Sequence, residues 1–581
     1  MKYRDSTGIT PDASGVKFLA QALDELLYDY SLASYKPRVM GLEGACGEAL
    51  VLIDQVDAEQ IDRSRLEPVL EEIEYIVQSD PVAKSFLEFP AKFYTSFSKD
   101  VKPGDLRTRI SLLLNKIDEE QYIVALQGKL IDCCVDDRQK KVIYQTLRRW
   151  ISALNDAGYS RQYIKSRSDK FFFSDDVVVL EPADLSKFFD SFSFKVAEFE
   201  VAFVATEIVS QVAGVAERFK AEIFKDGDQL FNELSHMWRD IAQDRRVIRF
   251  NNVLAPDVFS ARLVAEKGLE HLSDLLVLFH HKNKIVWDSV AFARSVGGNW
   301  ILVEQQNSSV KRSRDNVPGK AGEKLDTIFR RLKFSDGDSI SRFVSVVRLH
   351  GSALEAVSAE AQLVNIWTAM EVLVHREFES KLRAVVRLLT PFLIYGYIDS
   401  LLHSLAGDIY RWRKNRFYRI IKIDELKGWR THHRLAAVLR GGEYEGRRDE
   451  LYELIENFAL LRNRCFQISE LISSCNSLES ALEEHERRVV WQIRRIYRCR
   501  NLIVHDGTSP RYLDALTENA HEYLDIFIDR FFVLCAKLGS ATSLEEAAVY
   551  QAQLYDQWRK RLREGGEISP NSVREFCALT A

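Results

Sequence analysis

Arg500-Asn501-Leu502-Ile503-Val504-His505, read as RNLIVH, closes a long and strongly periodic helical pattern that begins near Leu478. Asp506-Gly507 follows at once as a stop signal. Only a long helix seated in a bundle sustains such a pattern, so this stretch sets the reading of the whole C-terminal part. The two polar ends of the stretch also carry chemistry. Histidine moves a proton near neutral pH, and arginine braces charge that builds on a phosphate.

Outward from this helix, the pattern stays helical from about Arg342 to the end of the chain. Residues 353–375, 382–405, 450–462, 478–505, 512–538 and 544–562 are the expected helices. Residues 1 to about 168 read the same way, with apolar spacing of helical period over 16–30, 66–77, 106–117 and 139–154. Lys102-Pro103-Gly104-Asp105 is a turn that starts a helix. Between these parts the texture changes. Residues 171–173, 177–180, 194–204, 247–250, 284–287 and 300–303 are rich in aromatic and β-branched side chains and read as strands, with a helix over 258–279. Gly297-Gly298 and the polar run 305–322 read as exposed loops. The expected architecture is mainly α with a central α+β domain: 1–168 helical, 169–340 α+β, and 341–581 a C-terminal helical bundle.

Composition bounds the function. A chain of 581 residues exceeds a single core, so two to four domains are expected. Between His375 and His505, 24 Lys and Arg face 17 Asp and Glu, an excess of seven in a chain of net charge −5, so the remainder carries −12. A basic zone inside an acidic protein suggests one face that meets phosphate; solvated helix faces are the alternative. Cys46, Cys133, Cys134, Cys465, Cys475, Cys499, Cys535 and Cys577 form no CxxC pair and stand at no ligand spacing from histidine. That argues for reduced thiols, a cytoplasmic setting and no zinc. MKYRDSTGITPD lacks an apolar signal core, and no run is long and apolar enough to span a bilayer, so no membrane partner is expected. Walker A, GxGxxG and HExxH phrases are absent.

Of the twelve histidines, only His505 has an arginine five positions before it. Asn501, four residues before His505, shares its helix face, and Leu502, Ile503 and Val504 are expected on the buried side. Arg498, seven before His505, falls on the same face and either assists or replaces Arg500. The alternative for the pair is a helix-capping histidine beside a surface arginine. A second candidate, YRWRKNRFYRIIK over 410–422, interleaves Arg411, Arg413, Lys414, Arg416 and Arg419 with Trp412, Phe417 and Tyr418. Basic groups there would track a phosphate backbone while aromatics stack on unpaired bases; core aromatics on an amphipathic helix are the alternative. His432-His433, beside Arg430 and Arg434, extends the basic strip, and as a metal pair it lacks a matching acid or cysteine cluster in the sequence.

RNLIVHDG resembles the catalytic signature of the HEPN superfamily, and the chain over roughly 341–540 is most similar to its Apea-like branch. NIWTAMEVLV, with Glu371, resembles the first-helix pattern of that family, and AGYSRQYI (157–164) resembles stretches that precede such domains in bacterial defence proteins. The nucleotidyltransferase-paired toxin branch ends its signature His-x-Tyr; Gly507 stands there instead, which speaks against nucleotidylation. The resemblance implies a metal-independent endoribonuclease without a cofactor, acting as a homodimer or higher even oligomer whose signature helices face each other. His505 would remove the ribose 2′-hydroxyl proton, leaving 2′,3′-cyclic phosphate and 5′-hydroxyl ends. Arg500 would stabilise the phosphorane, Asn501 would orient phosphate or imidazole, and Glu371 would anchor Arg500. Arg494, Arg495 and Arg498 would hold RNA along the signature helix. Proteins of this type resemble toxins and antiphage effectors that cut tRNA or mRNA. The upstream domains would then sense a phage-derived trigger or keep the nuclease silent. A non-catalytic RNA-binding or dimerisation scaffold, and a toxin silenced by a separate antitoxin, are the other readings.

Overall fold

The protein is described here by a computed structural model covering residues 4, 9, 13–32, 35–36, 39–97, 101–174, 181–238, 241–242, 244–312, 317–374, 380–538 and 542–578. It is mainly helical, with one five-stranded antiparallel sheet set between two helical regions. The helices Ser14–Leu26, Leu42–Asp57, Glu67–Ser79, Pro103–Lys116, Glu119–Cys134, Lys140–Asp156 and Arg161–Phe172 form the N-terminal region. Their stripes follow the sequence period: Val16, Leu19, Leu23 and Leu26 are all buried on one helix.

The sheet comprises β1 (Ala197–Thr206), β2 (Ala221–Phe224), β3 (Arg245–Ala255), β4 (Trp287–Ser295) and β5 (Ile301–Glu304), in the order β2-β3-β1-β4-β5. Central β1 is nearly continuously apolar because both faces of the sheet are covered. Phe199, Val201, Phe203 and Ala205 enter the core shared with the helix Val258–Val277. Ala202 and Val204 enter a smaller core with Leu230, Phe231 and Leu234 of the helix Gln229–Met237. Asp257 ties this unit to the N-terminal helices. Its carboxylate caps Phe259 and Ser260 and also accepts from Ser160 N at 2.8 Å and Ser160 Oγ at 2.9 Å.

A single continuous core runs through both helical regions, from Val16 and Leu23 to Leu478, Ile496 and Leu562. Phe172, Phe188, Phe189 and Phe192 belong to it, whereas the cores of the sheet lie between Phe199 and Val303. The two helical regions are therefore one packed body around an inserted sheet, and the edges expected at 168/169 and 340/341 fall outside the sheet's own cores.

Several expected elements differ. Residues 171–173 end a helix rather than form a strand. Ser160 caps that helix, its hydroxyl accepting from Tyr163 N at 3.0 Å, and Phe172 packs on Phe188 at 5.1 Å between ring centroids. The strand expected at 177–180 lies outside the described residues. Residues 284–286 lead into β4, which begins at Trp287. The polar run 305–322 carries a short helical turn, Ser309–Arg312, and the start of the helix Pro318–Arg331. The helix expected over 353–375 is broken into Gly337–Glu355 and Ala359–Val372, because Ser358 starts a new helix by accepting from Ala361 N at 3.2 Å; His375 lies outside the described residues. The expected 382–405 helix is broken into Lys381–Tyr395 and Tyr397–Ile421, bent by 43°. Gly396 sits at that bend, where a Cβ would meet the Arg530 guanidinium at 2.7 Å. The 450–462 segment is likewise divided between Glu445–Leu454 and Ala459–Leu471. Among the described residues no single helix is long and apolar enough to cross a membrane; the bent pair passes by length and composition only, and Leu389, Phe392, Ile398 and Leu402 bury it in the main core.

Candidate active site

Ser474 starts the helix that carries the signature, Cys475–Asn501, by accepting from Ser477 N at 3.2 Å. Val489, Trp491, Ile493, Ile496 and Cys499 fix it in the core. The helix then widens into a π-turn, Leu502–Asp506, and Gly507 ends it in the left-handed conformation at φ +64°. Such wide turns are rare and concentrate at functional sites. The turn buries none of its side chains: Val504 is 46% exposed, while Leu502 and Ile503 are half-buried. The expectation that these three residues form a buried side is therefore wrong for Val504. The π-turn at the helix end divides them: Leu502 lines a cleft, Ile503 packs against the main core and Val504 faces solvent.

That cleft has a volume of about 750 Å³. One wall is the end of the signature helix, with Tyr497, Arg498, Asn501, Leu502, His505 and Asp506. The other wall comes from the N-terminal region: Glu48 and Val51 on the helix Leu42–Asp57, then Asp62 and Arg65 on the turn that follows. Asn501 and His505 thus share the face their spacing predicted, and His505 is exposed to solvent. Arg500 is half-buried and does not line the cleft. It reaches the constellation through Asn501, donating from Nη1 to Asn501 Oδ1 at 3.1 Å, while its buried Nε has no partner.

The other arginines of this helix are tied down. Arg495, 1% exposed, donates to Glu48 Oε2 from Nε at 3.0 Å and from Nη2 at 2.9 Å, and to Glu72 Oε2 at 2.5 Å. Arg498 donates from Nε to Glu48 Oε1 at 3.1 Å and from Nη2 to the same oxygen. Burial alone would push the Glu48 carboxyl up, but the two guanidinium charges override it and hold it at about 2. Arg495 is therefore a structural residue, not an RNA ligand, and Arg498 enters the cleft with its charge already compensated. Arg494 is half-buried and does not line the cleft. Glu371, expected to anchor Arg500, pairs instead with Lys381 at 3.9 Å; among the described residues no contact joins it to Arg500. It belongs to the helix Ala359–Val372, whose bundle position leaves Lys381 as the cation in reach.

The basic strip is separate from the cleft. Arg411, Arg413, Lys414 and Arg416 are exposed, and none of them lines it. Arg411 pairs with Asp408, Arg413 lies over Trp412 at 4.8 Å, and Lys414 over Tyr410 at 5.4 Å. The aromatics divide: Phe417 is fully buried and Trp412 donates to Leu454 O at 3.0 Å, whereas Tyr418 is 46% exposed. The helix breaks at Arg413, φ −149° and ψ 69°. His432 and His433 are buried rather than part of this strip, and the acid that sequence could not supply is Asp399, whose Oδ1 accepts from His432 Nε2 at 2.9 Å and His433 Nε2 at 3.2 Å.

Sequence reasoning missed the N-terminal wall. Arg65, a cleft-lining cation that stacks on Tyr497 at 4.9 Å, and Glu48 carry no local motif. The signal available was only the charge imbalance: a basic helix in an acidic chain requires acids from elsewhere. The arrangement as a whole offers an exposed imidazole, a carboxamide and two guanidinium groups, one of them already paired with Glu48, around a groove within the volume range of small-ligand sites. No family model matches the chain, and no curated protein or solved structure matches it either.

Proposed function

We infer that the protein is an endoribonuclease of HEPN type that cuts RNA without a metal. The observation that carries this reading is the meeting of Asn501 and His505 in one cleft at a π-turn, with Arg500 bonded to Asn501. In the reaction, the His505 imidazole takes the proton of a ribose 2′-hydroxyl. The 2′-oxygen bonds to the adjacent phosphorus, the bond from phosphorus to the 5′-oxygen breaks, and that oxygen takes a proton from water as it leaves. Arg65, which lines the opposite wall, braces the charge on the phosphorane, while Arg500, outside the cleft lining, acts through its hydrogen bond to Asn501 rather than on the phosphorane itself. Asn501 orients the phosphate while itself positioned by Arg500. The products are 2′,3′-cyclic phosphate and 5′-hydroxyl ends. A second copy completes the site, because one signature turn presents a single imidazole. An effector role in antiphage defence, or as a toxin on tRNA or mRNA, goes with this chemistry.

The compensation of Arg498 and Arg495 by Glu48, which ties the signature helix to the fold, favours the dimerisation side of one second reading, a non-catalytic RNA-binding or dimerisation scaffold. Sequencing RNA ends after expression of the wild type and of His505→Ala separates the two. Defined 5′-hydroxyl ends with the wild type alone support the nuclease; identical ends in both support the scaffold.

A further inference from the structure

We propose that His350, His521 and Asp525 form a binding site for a first-row divalent transition ion such as Zn²⁺, apart from the catalytic cleft. His350 lies on the helix Gly337–Glu355; His521 and Asp525 stand four residues apart on the helix Leu513–Leu538, one above the other on the same face. Three ligand atoms converge. His350 Nε2 is 3.1 Å from His521 Nε2 and 2.9 Å from Asp525 Oδ1, and the two imidazoles stack with centroids 5.0 Å apart and planes at 19°.

Hydrogen bonding alone serves this arrangement poorly. Two ring nitrogens facing each other need one proton between them, and Asp525 Oδ1 competes for the same His350 N–H. A cation serves all three at once. Tetrahedral ligands about 2.0–2.1 Å from zinc stand about 3.3 Å apart, so the two contacts of His350 open by only a few tenths of an ångström to accept it, and all three ligand atoms already lie within 4.8 Å of one another. Two imidazoles and one carboxylate suit zinc and its neighbours rather than calcium or magnesium, and water fills the fourth position. Access is open from one side: the His350 and Asp525 side chains are 23% and 40% exposed, while His521, at 4%, anchors the site in the core.

The Asp399-His432-His433 group contrasts with this one. There both Nε2–H groups donate to Asp399 Oδ1, so hydrogen bonds already account for the three atoms that face one another, and only the buried His433 Nδ1, on the far side of its ring, is left without a partner among the described residues. His521 lies nine residues beyond Tyr512 of the cleft, about 13 Å along the chain's helical rise. None of the three ligands lines the cleft. The ion therefore clips two helices of the bundle together and takes no part in cutting RNA.

The test is Co²⁺ added to the untagged full chain, followed by its visible absorption and displaced by Zn²⁺. The expected result is one ion per chain at micromolar concentration, with the band intensity of four-coordinate cobalt. His350→Ala and Asp525→Asn, each checked for native circular dichroism, are expected to bind at least tenfold more weakly. No uptake by the wild type, or wild-type stoichiometry and spectrum in either folded variant, would overturn the proposal.

Discussion

Glu48 and Arg498, 450 residues apart in the chain, form a two-nitrogen ion pair on one carboxylate oxygen, and the second oxygen of Glu48 holds Arg495 in the same way. The pair fastens the N-terminal region to the signature helix and builds the wall of the cleft. Its buried charges stand only because each is compensated, so removing one partner costs far more than breaking a surface ion pair.

Replacing Glu48 by Gln leaves Arg495 and Arg498 undercompensated. The expected loss is about 3 kcal/mol in urea unfolding at pH 7. The pH dependence has a definite sign. The folded carboxyl sits at about 2 against an ordinary 4.5. Its contribution is therefore complete above pH 4.5 and is lost as pH falls toward 2, amounting to about 3 kcal/mol. The gap between wild type and Glu48→Gln should narrow over that window; parallel curves would show that Glu48 is not held low.

Arg498 and Arg500 are expected to separate into two roles. Arg498→Ala removes a charged hydrogen-bond partner of Glu48 and should cost about 1.5–3 kcal/mol of stability. Arg500→Ala breaks only the hydrogen bond to Asn501 and should change stability by less than about 1 kcal/mol while removing RNA cleavage. Thermal unfolding and cleavage measured on the same two preparations distinguish these outcomes, and the reverse pattern would exchange the assignments.

Much of this was legible before the structure. The helical period located the signature helix, and the four-residue spacing placed Asn501 and His505 on one face. Gly507 marked the stop. Other features were out of reach for physical reasons. Apolar period runs on across a helix break when both halves pack into one core, which hid the breaks at Ser358 and Gly396. An aromatic triplet, 171–173, has no period of its own, so the Ser160 cap upstream decided its conformation. The partners of Arg495, Arg498 and His433 come from remote segments, and no local pattern announces an ion pair across 450 residues.

The strip at Arg411, Arg413, Lys414 and Arg416 lies away from the cleft, so it should affect binding more than chemistry. Reversing all four to Glu is expected to weaken the binding of long single-stranded RNA, with a salt slope shallower by about 0.7 for each phosphate that the variant no longer neutralises. Cleavage of an oligonucleotide short enough to fit the cleft should be unchanged. An unaltered salt slope would return Trp412 and Phe417 to a purely structural role.

A single chain offers one exposed imidazole at the signature turn, so the active species should be a homodimer or an even multiple of one. Light scattering at the concentration of the cleavage assay checks this directly. A monodisperse monomer with full activity would rule out a site completed by a second copy.

The most direct test of the central claim is cleavage of a defined RNA by purified protein in EDTA, with wild type, His505→Ala and His350→Ala compared. Wild type and His350→Ala are expected to cut at full rate, leaving 2′,3′-cyclic phosphate and 5′-hydroxyl ends, and His505→Ala is expected not to cut. Cleavage that EDTA abolishes in both, or that survives in His505→Ala, would contradict the claim.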